Sequence, residues 1–124
     1  MDTAVAAELL AGIAGRDFGR IEACFAPHAQ LRALTPHQLR ELTGPSAIAG
    51  QYRFWLQPLS AFSVVDSGLE TIADRVRVRY RFVGVDLQRG PQENEHTAYA
   101  EVAGGLIVAL NLSCAGFRPA GPGA

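Results

Sequence analysis

The 124-residue sequence predicts one α+β domain, because the spacing of its apolar residues changes once along the chain. Before Ala61 the apolar residues recur at every third or fourth position, as in helices that pack against a core. From Ala61 onward apolar and polar residues alternate, as in strands that bury one face. The alternation is strictest over residues 75 to 82, where Arg alternates with Val, Val, Tyr and Phe. Helices followed by an antiparallel meander make an α+β fold.

Two helices are expected at the start of the chain. The first covers residues 2 to 14, where Val5, Leu9 and Ile13 repeat at every fourth position. The second begins after Asp17, a favourable N-cap residue, and we expect it to stop near Pro27. Its apolar face would consist of Phe18, Ile21 and Phe25.

A short strand and a third helix complete the first half. The strand is expected over residues 30 to 34, and the following Thr35-Pro36-His37-Gln38 segment fits either a first helical turn or a loop. The third helix begins at Gly44-Pro45 and ends around Pro58, since proline cannot continue the preceding turn. Its buried residues would be Ile48, Tyr52, Trp55 and Leu59.

Four strands are expected in the second half, over residues 62 to 73, 75 to 88, 92 to 103 and 105 to 117. They belong to one domain over residues 1 to 118. Residues 119 to 124 are rich in Pro, Gly and Ala and are expected to form a flexible tail.

The register of the first hairpin follows from its charges. A two-residue turn at Ala73-Asp74 places Glu70 opposite Arg77 and Leu69 opposite Val78, so that charged residues meet charged residues and apolar residues meet apolar residues. The same register pairs Asp66 with Arg81 and Val65 with Phe82.

For the last hairpin, a two-residue Gly104-Gly105 turn would mix polar and apolar residues on one face. A three-residue loop over residues 103 to 105 instead gives a consistent apolar face. The predicted pairs are Val102 with Leu106, Ala100 with Val108, Ala98 with Leu110 and His96 with Leu112. His96 then points into the core, whereas Glu95, Thr97, Tyr99 and Glu101 lie outside with the arginines.

Composition excludes several classes of partner. The 11 basic and 12 acidic residues give a net charge of −1, so no nucleic acid or membrane partner is expected. The arginines of residues 75 to 81 face acidic residues on both neighbouring strands, which favours a charge-compensated outer surface over an RNA-binding sheet.

The two cysteines, Cys24 and Cys114, form no disulfide framework and have the apolar neighbours of small buried residues. A reduced, cytoplasmic protein is therefore expected. The histidines lack the spacing of a metal site, and no cofactor loop follows a strand, so neither a metal nor a cofactor is expected.

His96 and Tyr80 are the candidate catalytic residues. An inward imidazole could transfer protons near neutral pH, and an inward phenol could donate to a ligand oxygen. Both positions also suit packed core residues, which is the more common role of a buried histidine or tyrosine. Tyr52 and Trp55 on the third helix could likewise pack in the core and contact a ligand.

Several local motifs resemble one family. They are Gly15-Arg16-Asp17-Phe18, Phe25-Ala26-Pro27-His28-Ala29, Gly44 ahead of Ile48, Phe54-Trp55, and the ending from Ala98-Tyr99-Ala100-Glu101-Val102 to Cys114-Ala115-Gly116-Phe117-Arg118-Pro119. These motifs and the element order are similar to SnoaL-like members of the nuclear transport factor 2-like superfamily, which includes ketosteroid isomerase. The resemblance implies a cone: a curved antiparallel sheet with three N-terminal helices on its concave face, and often a homodimer through the outer face.

The resemblance also excludes one mechanism. Ketosteroid isomerase uses an aspartate base and an oxyanion hole of a tyrosine and a protonated aspartate. The corresponding positions here are Ala33, Leu9 and Ala98, none of which can ionise or donate.

Two functions remain open. In the first, the cone binds a small lipophilic molecule, with or without acid/base chemistry of the polyketide cyclase or isomerase type through His96. The predicted ligand-binding residues are Tyr52, Trp55, Val78, Tyr80, His96, Val108, Leu110 and Leu112. In the second, the chain is a non-catalytic homodimerising or ligand-sensing module whose cone is filled by its own side chains.

Overall fold

A computed structural model describes residues 2 to 121, apart from the side chain of Asp2. Its elements are α1 (Asp2–Gly15), α2 (Phe18–Glu22), β1 (Phe25–Leu34), β2 (Leu39–Thr43), α3 (Pro45–Leu56), β3 (Ser60–Ile72), β4 (Arg75–Asp86), β5 (Gly90–Ala103), β6 (Leu106–Cys114) and β7 (Arg118–Pro119). The α+β prediction is confirmed. Within residues 2 to 121, no helix has the length and apolar character that crossing a membrane requires.

The strands form one curved sheet in the order β2-β1-β6-β5-β4-β3, with β7 paired to β5. Neighbouring strands are antiparallel except β1 and β6, which run parallel, so the sheet is mixed and not wholly antiparallel as expected. Helix α1 lies against β3 to β6, and α3 lies against β1 and β2. The helices thus cover one face of the sheet, and the apolar core lies between the two layers.

The second helix is shorter than predicted. The Asp17 side chain accepts a hydrogen bond from the amide of Arg20, which confirms the cap, but α2 ends at Glu22. Phe25 begins β1, where it pairs with Ile107. The helical spacing of Phe25 was misleading, because pairing with a central strand determines its backbone conformation.

The segment after β1 is a loop, and not a helical turn. The Thr35 hydroxyl donates to the carbonyl of Gln38 and so closes the loop. Strand β2, which the sequence analysis missed, follows it and pairs antiparallel with β1. Helix α3 agrees with the prediction at both ends, and Leu59 is buried just beyond its C-terminus.

The first hairpin has the predicted register as far as Asp66. Glu70 pairs with Arg77, Leu69 with Val78 and Asp66 with Arg81. The prediction for Val65 is wrong, because a bulge there lets Val64 pair with Phe82 and leaves Val65 exposed.

The last hairpin does not have the predicted three-residue loop over residues 103 to 105. It turns on Gly104 and Gly105, whose φ angles of 60° and 78° suit a two-residue turn that favours glycine at both positions. Ala103 therefore pairs with Leu106, and a bulge at Val108 then shifts the register. As a result Ala100 pairs with Leu110, Ala98 with Leu112 and His96 with Cys114. Because the bulge shifts the register by one residue, polar and apolar residues no longer share one face. The objection to a two-residue turn therefore does not apply.

The outer face carries the arginines in ion pairs. Arg79 lies 2.7 Å from Asp66, Arg75 lies 3.4 Å from Glu101, and Arg77 contacts Glu70. All these side chains are substantially exposed to solvent. The expected charge compensation is confirmed.

The start of the expected tail is attached to the sheet. Arg118 and Pro119 pair with β5, and the amide of Ala120 donates to the carbonyl of Pro91 over 3.1 Å. Residues 122 to 124 of the expected tail lie outside the described residues.

Candidate functional site

A chain of three polar side chains crosses the core. The hydroxyl of Tyr52, on α3, lies 2.9 Å from the hydroxyl of Tyr80, on β4. The Tyr80 hydroxyl in turn lies 2.8 Å from Nδ1 of His96, on β5. Tyr80 and His96 are directly opposite each other across the two strands. All three side chains are fully buried, so the helix layer and the sheet are joined through hydrogen bonds inside the apolar core.

Aromatic rings surround His96. The Trp55 ring centroid lies 5.0 Å from that of His96, and the Phe82 centroid lies 5.4 Å away, both in edge-to-face arrangements. The second ring nitrogen, Nε2, is buried and has no hydrogen-bond partner among residues 2 to 121. The inward orientation predicted for His96 is confirmed.

The polar chain has one proton more than it has hydrogen bonds. Two phenols and a neutral imidazole carry three O–H or N–H groups, but only two hydrogen bonds link Tyr52, Tyr80 and His96. If the protons point toward His96, Nε2 carries the unpaired N–H. If they point toward Tyr52, Nε2 keeps an unpaired lone pair. The direction of the chain therefore decides whether Nε2 is a donor or an acceptor.

Burial keeps these groups neutral. It lowers the pKa of His96 from 6.5 to about 3, because no negative charge compensates for the loss of water. Burial also raises the pKa of Tyr52, although its hydrogen bond to Tyr80 opposes the shift. The pKa of Tyr80 is raised by burial and by its proximity to Tyr52.

A cleft of about 500 Å³ opens above this core. The loops that follow β1, β4 and β6 meet at this end of the sheet, together with the C-terminal end of α3. Trp55 lies between the cleft and His96, since it lines the cleft and contacts the imidazole. The lining residues are Thr35, Pro36, His37, Arg40, Phe54, Trp55, Pro58, Leu59, Asp86, Arg89, Cys114, Ala115, Gly116 and Phe117.

The cleft contains two guanidinium groups, each above an aromatic ring. Arg40 lies 5.7 Å from the ring centre of Phe54, and Arg89 lies 5.8 Å from that of Phe117. Arg89 also lies 3.6 Å from the Asp86 carboxylate. The amides of Gln88 and Arg89 donate to the Asp86 carboxylate and, with the Arg89 charge, lower its pKa.

Arg40 differs from Arg89 in having no ionic partner among the side chains that the structure describes. Among residues 2 to 121, no carboxylate oxygen lies within 4.0 Å of the Arg40 guanidinium. Its Nε–H group is buried and donates to no acceptor among residues 2 to 121. The cleft therefore has an uncompensated positive charge beside apolar walls.

The predicted ligand-binding residues are divided between the cleft and the core. Trp55 lines the cleft. Tyr52, Val78, Tyr80, His96, Leu110 and Leu112 are buried in the core. Val108 requires a correction: it lies at the bulge of β6 and is 36% exposed, because the two-residue turn displaces it from the apolar face.

Sequence reasoning missed most of the cleft. Arg40 lies in the strand that was not predicted, and Asp86, Arg89 and Phe117 lie near strand ends that are far apart in the sequence. Phe54-Trp55 and the Cys114-Ala115-Gly116-Phe117 motif drew attention in the sequence, but neither indicated that they meet in one cleft. The convergence of three loops becomes visible only once the strand order is known.

Both cysteines are reduced and buried. Burial raises the pKa of Cys24 to about 11, so its thiolate is not formed near neutral pH. The Cys114 sulfur lies 3.4 Å from the amide nitrogen of Asn94, which is itself buried.

Leu9, Ala33 and Ala98, at the positions that resemble those used by ketosteroid isomerase, are fully buried apolar residues.

Comparisons with solved structures identify the fold. A protein from Xanthomonas campestris pv. campestris, proposed to be a polyketide cyclase, superposes with a TM-score of 0.72 at 15% identity over 90% of this chain and 88% of its own. An NTF2-like protein from Burkholderia xenovorans superposes with a TM-score of 0.69 at 13% identity, over 91% and 88%. A protein from Catenulispora acidiphila with a ketosteroid isomerase-like fold, in complex with trimethylamine, gives 0.70 at 14% identity, over 87% and 82%.

No model of a known protein family matches the sequence, and no curated protein matches it significantly. The comparison therefore rests on structural similarity and not on sequence similarity. It confirms the predicted nuclear transport factor 2-like fold.

Proposed function

We propose that this chain, which has the nuclear transport factor 2-like fold, binds a small lipophilic molecule in the cleft that Trp55 closes from below. The observation that carries the proposal is the cleft itself. Its volume of about 500 Å³ lies within the usual range of small-molecule sites. Its walls combine aromatic rings with a few charged groups, which is the composition typical of such sites.

Binding without catalysis is the version that the geometry favours. His96 lies beneath Trp55 and does not line the cleft. With a pKa of about 3 it is neutral near pH 7 and is a weak base. Proton transfer of the polyketide cyclase or isomerase type, with His96 and Tyr80 as catalytic residues, would require Trp55 to move aside. A cone interior filled by the side chains of Tyr52, Tyr80 and His96 supports a non-catalytic module.

The sequence contains one tryptophan, so Trp55 fluorescence reports directly on the cleft. We expect a panel of flat lipophilic compounds to include members that quench or shift this emission and raise the melting temperature. Phe54→Ala should weaken binding about fivefold or more, because Phe54 lines the cleft and is 66% exposed, so its loss costs little stability.

Ile72→Ala is the matched control for that variant. Ile72 is also exposed, at 41%, but it ends β3 and pairs with Arg75, at the opposite end of β4 from Asp86 and the cleft. Equal effects of the two substitutions would place binding elsewhere. If no compound of the panel changes either the emission or the melting temperature, the binding function is rejected in favour of a non-catalytic homodimerising module.

We also propose a homodimer through the outer sheet face. Leu34, Leu39 and Tyr99 are 58%, 45% and 38% exposed and line one shallow groove on that face. Clustered exposed apolar residues are typical of protein interfaces. In analytical ultracentrifugation, Leu34→Asp should convert a dimer to a monomer, whereas Ile72→Asp should not. A monomeric wild-type protein at high concentration would contradict the dimer.

A cytoplasmic location is proposed as well. Cys24 and Cys114 are both buried as free thiols, a state that reducing compartments preserve. Fractionation of cells that express the full chain would test this location. Recovery of the protein from an oxidising compartment would refute it.

A further inference from the structure

We propose that the ligand of the cleft is a monoanionic amphipathic molecule, an aromatic or aliphatic carboxylate, whose carboxylate binds Arg40. This inference rests on the proposed binding function and specifies its ligand class. It follows from the distribution of charge in the cleft and from the hydrogen-bonding state of one guanidinium group.

The charge of the cleft is opposite in sign to that of the chain. The whole sequence carries a net charge of −1 with neutral histidines. The charged groups that line the cleft are Arg40, Arg89 and Asp86, which leave one positive charge in excess. Arg89 and Asp86 are paired with each other, so the excess charge resides on Arg40.

The state of Arg40 indicates a missing acceptor. Its buried Nε has no acceptor among residues 2 to 121, and the same part of the chain offers its guanidinium no carboxylate. Leaving a buried donor unsatisfied costs free energy, and the cost is larger for charged groups. The Nε atom is shielded from the cleft, so a bound carboxylate would compensate the charge at the two terminal nitrogens, from which it can accept two parallel hydrogen bonds. The planar fork of arginine fits a carboxylate better than a neutral carbonyl.

The surroundings of Arg40 define the rest of the ligand. Phe54 lies beneath its guanidinium, while Trp55 and Phe117 line the same cleft. A carboxylate on Arg40 would place the attached carbon skeleton against these rings. Inorganic anions would leave the aromatic walls without a partner. The preferred ligand therefore has one anionic end and an apolar body.

Two probes of equal size separate charge from shape. We suggest 1-naphthoate and 1-naphthamide, which share the same ring system and differ in their charge. Isothermal titration calorimetry should give at least tenfold tighter binding of 1-naphthoate to the wild-type chain, since a charge-assisted bidentate contact exceeds a neutral one by about that factor. Arg40→Gln should remove this preference, so that 1-naphthoate and 1-naphthamide bind the variant with similar affinity.

Arg79→Gln is the matched control. It removes the same charge from the outer face, where Arg79 is paired with Asp66. Its affinity for 1-naphthoate should equal that of the wild type, so a loss seen with both variants would indicate a general field and overturn the Arg40 contact. Circular dichroism and thermal unfolding should show that both variants remain folded.

The remaining outcomes distinguish the two proposals. Equal binding of both probes to the wild-type chain would overturn the carboxylate inference and leave the cleft as a neutral lipophilic site. If neither probe binds, the result would contradict the binding function itself and, with it, the proposed ligand class.

Discussion

The hydroxyl of Tyr80 lies 2.8 Å from Nδ1 of His96 inside a core that excludes water from both groups. These residues are paired across β4 and β5, so the contact follows from the register of the two strands. Their hydrogen bond and the contact of Tyr80 with Tyr52 make Tyr80 the link between the helices and the sheet.

Tyr80→Phe should therefore destabilise the protein more than Tyr52→Phe. The first variant leaves two buried groups, on Tyr52 and His96, without their partner, which should cost about 2 to 6 kcal/mol at 1 to 3 kcal/mol per group. The second leaves the Tyr80 contact with His96 intact and should cost about 1 kcal/mol. Urea unfolding monitored by circular dichroism measures both. Equal losses would show that the chain of hydrogen bonds does not act as a unit.

His96 should make stability depend on pH. Its pKa is lowered from 6.5 to about 3 in the folded state, so below pH 6.5 the unfolded chain binds a proton that the folded chain does not. Stability is fully present above pH 6.5 and falls progressively toward pH 3. At pH 5.0 the loss relative to pH 7.5 should be about 2 kcal/mol, at 1.36 kcal/mol for each pH unit.

Urea unfolding at pH 7.5 and pH 5.0 measures this loss, and His96→Gln should remove it. His37→Gln is the matched control, because His37 is exposed and should leave the dependence unchanged. An unaltered pH dependence in His96→Gln would contradict the buried neutral imidazole.

Two glycine substitutions should have opposite effects. A Cβ at Gly84 would lie 2.8 Å from the Cβ of Leu59, so Gly84→Ala should cost about 1 to 3 kcal/mol through overpacking. A Cβ at Gly50, inside α3, would meet nothing within 4 Å, so Gly50→Ala should stabilise by about 0.5 to 1 kcal/mol. Thermal unfolding of the two variants compares them directly. A stable Gly84→Ala would mean that Leu59 repacks freely.

The arginines of the outer face should contribute little to stability. Arg79→Ala removes an ion pair with Asp66 in which both side chains are well exposed, and water and salt screen such pairs so that they add little to stability. For the wild-type protein, the free energies of unfolding measured in low and in high salt should differ only slightly. A loss of stability in Arg79→Ala as large as that of Gly84→Ala would indicate that the arginines stabilise the fold more than their exposure suggests.

The sequence predicted the fold better than it predicted the cleft. Alternation over residues 75 to 82 placed Tyr80 inward, and charge matching gave the pairs of Glu70 and Arg77 correctly. Two errors of register lie at Val65 and Val108, where bulges insert one residue and shift the partners. A bulge has little signature in the alternation of apolar residues, because it depends on how the whole sheet curves.

The cleft depends on contacts that no local pattern encodes. Arg40, Arg89 and Phe117 come from three different strand ends and meet only because the strand order brings those ends together. Their separate positions in the sequence resemble ordinary surface loops. Local spacing was informative for buried faces and uninformative for the assembly of loops.

The parallel pairing of β1 with β6 has a consequence for folding kinetics. β6 lies between β1 and β5, and Leu31 pairs with Leu110, so residues from early and late in the chain must meet before the centre of the sheet exists. Contacts of such wide sequence separation slow folding. During synthesis on a ribosome, β1 and β2 would emerge as an exposed hairpin that waits for β6. Nascent chains that end before residue 106 should therefore expose Leu31 and need protection from aggregation.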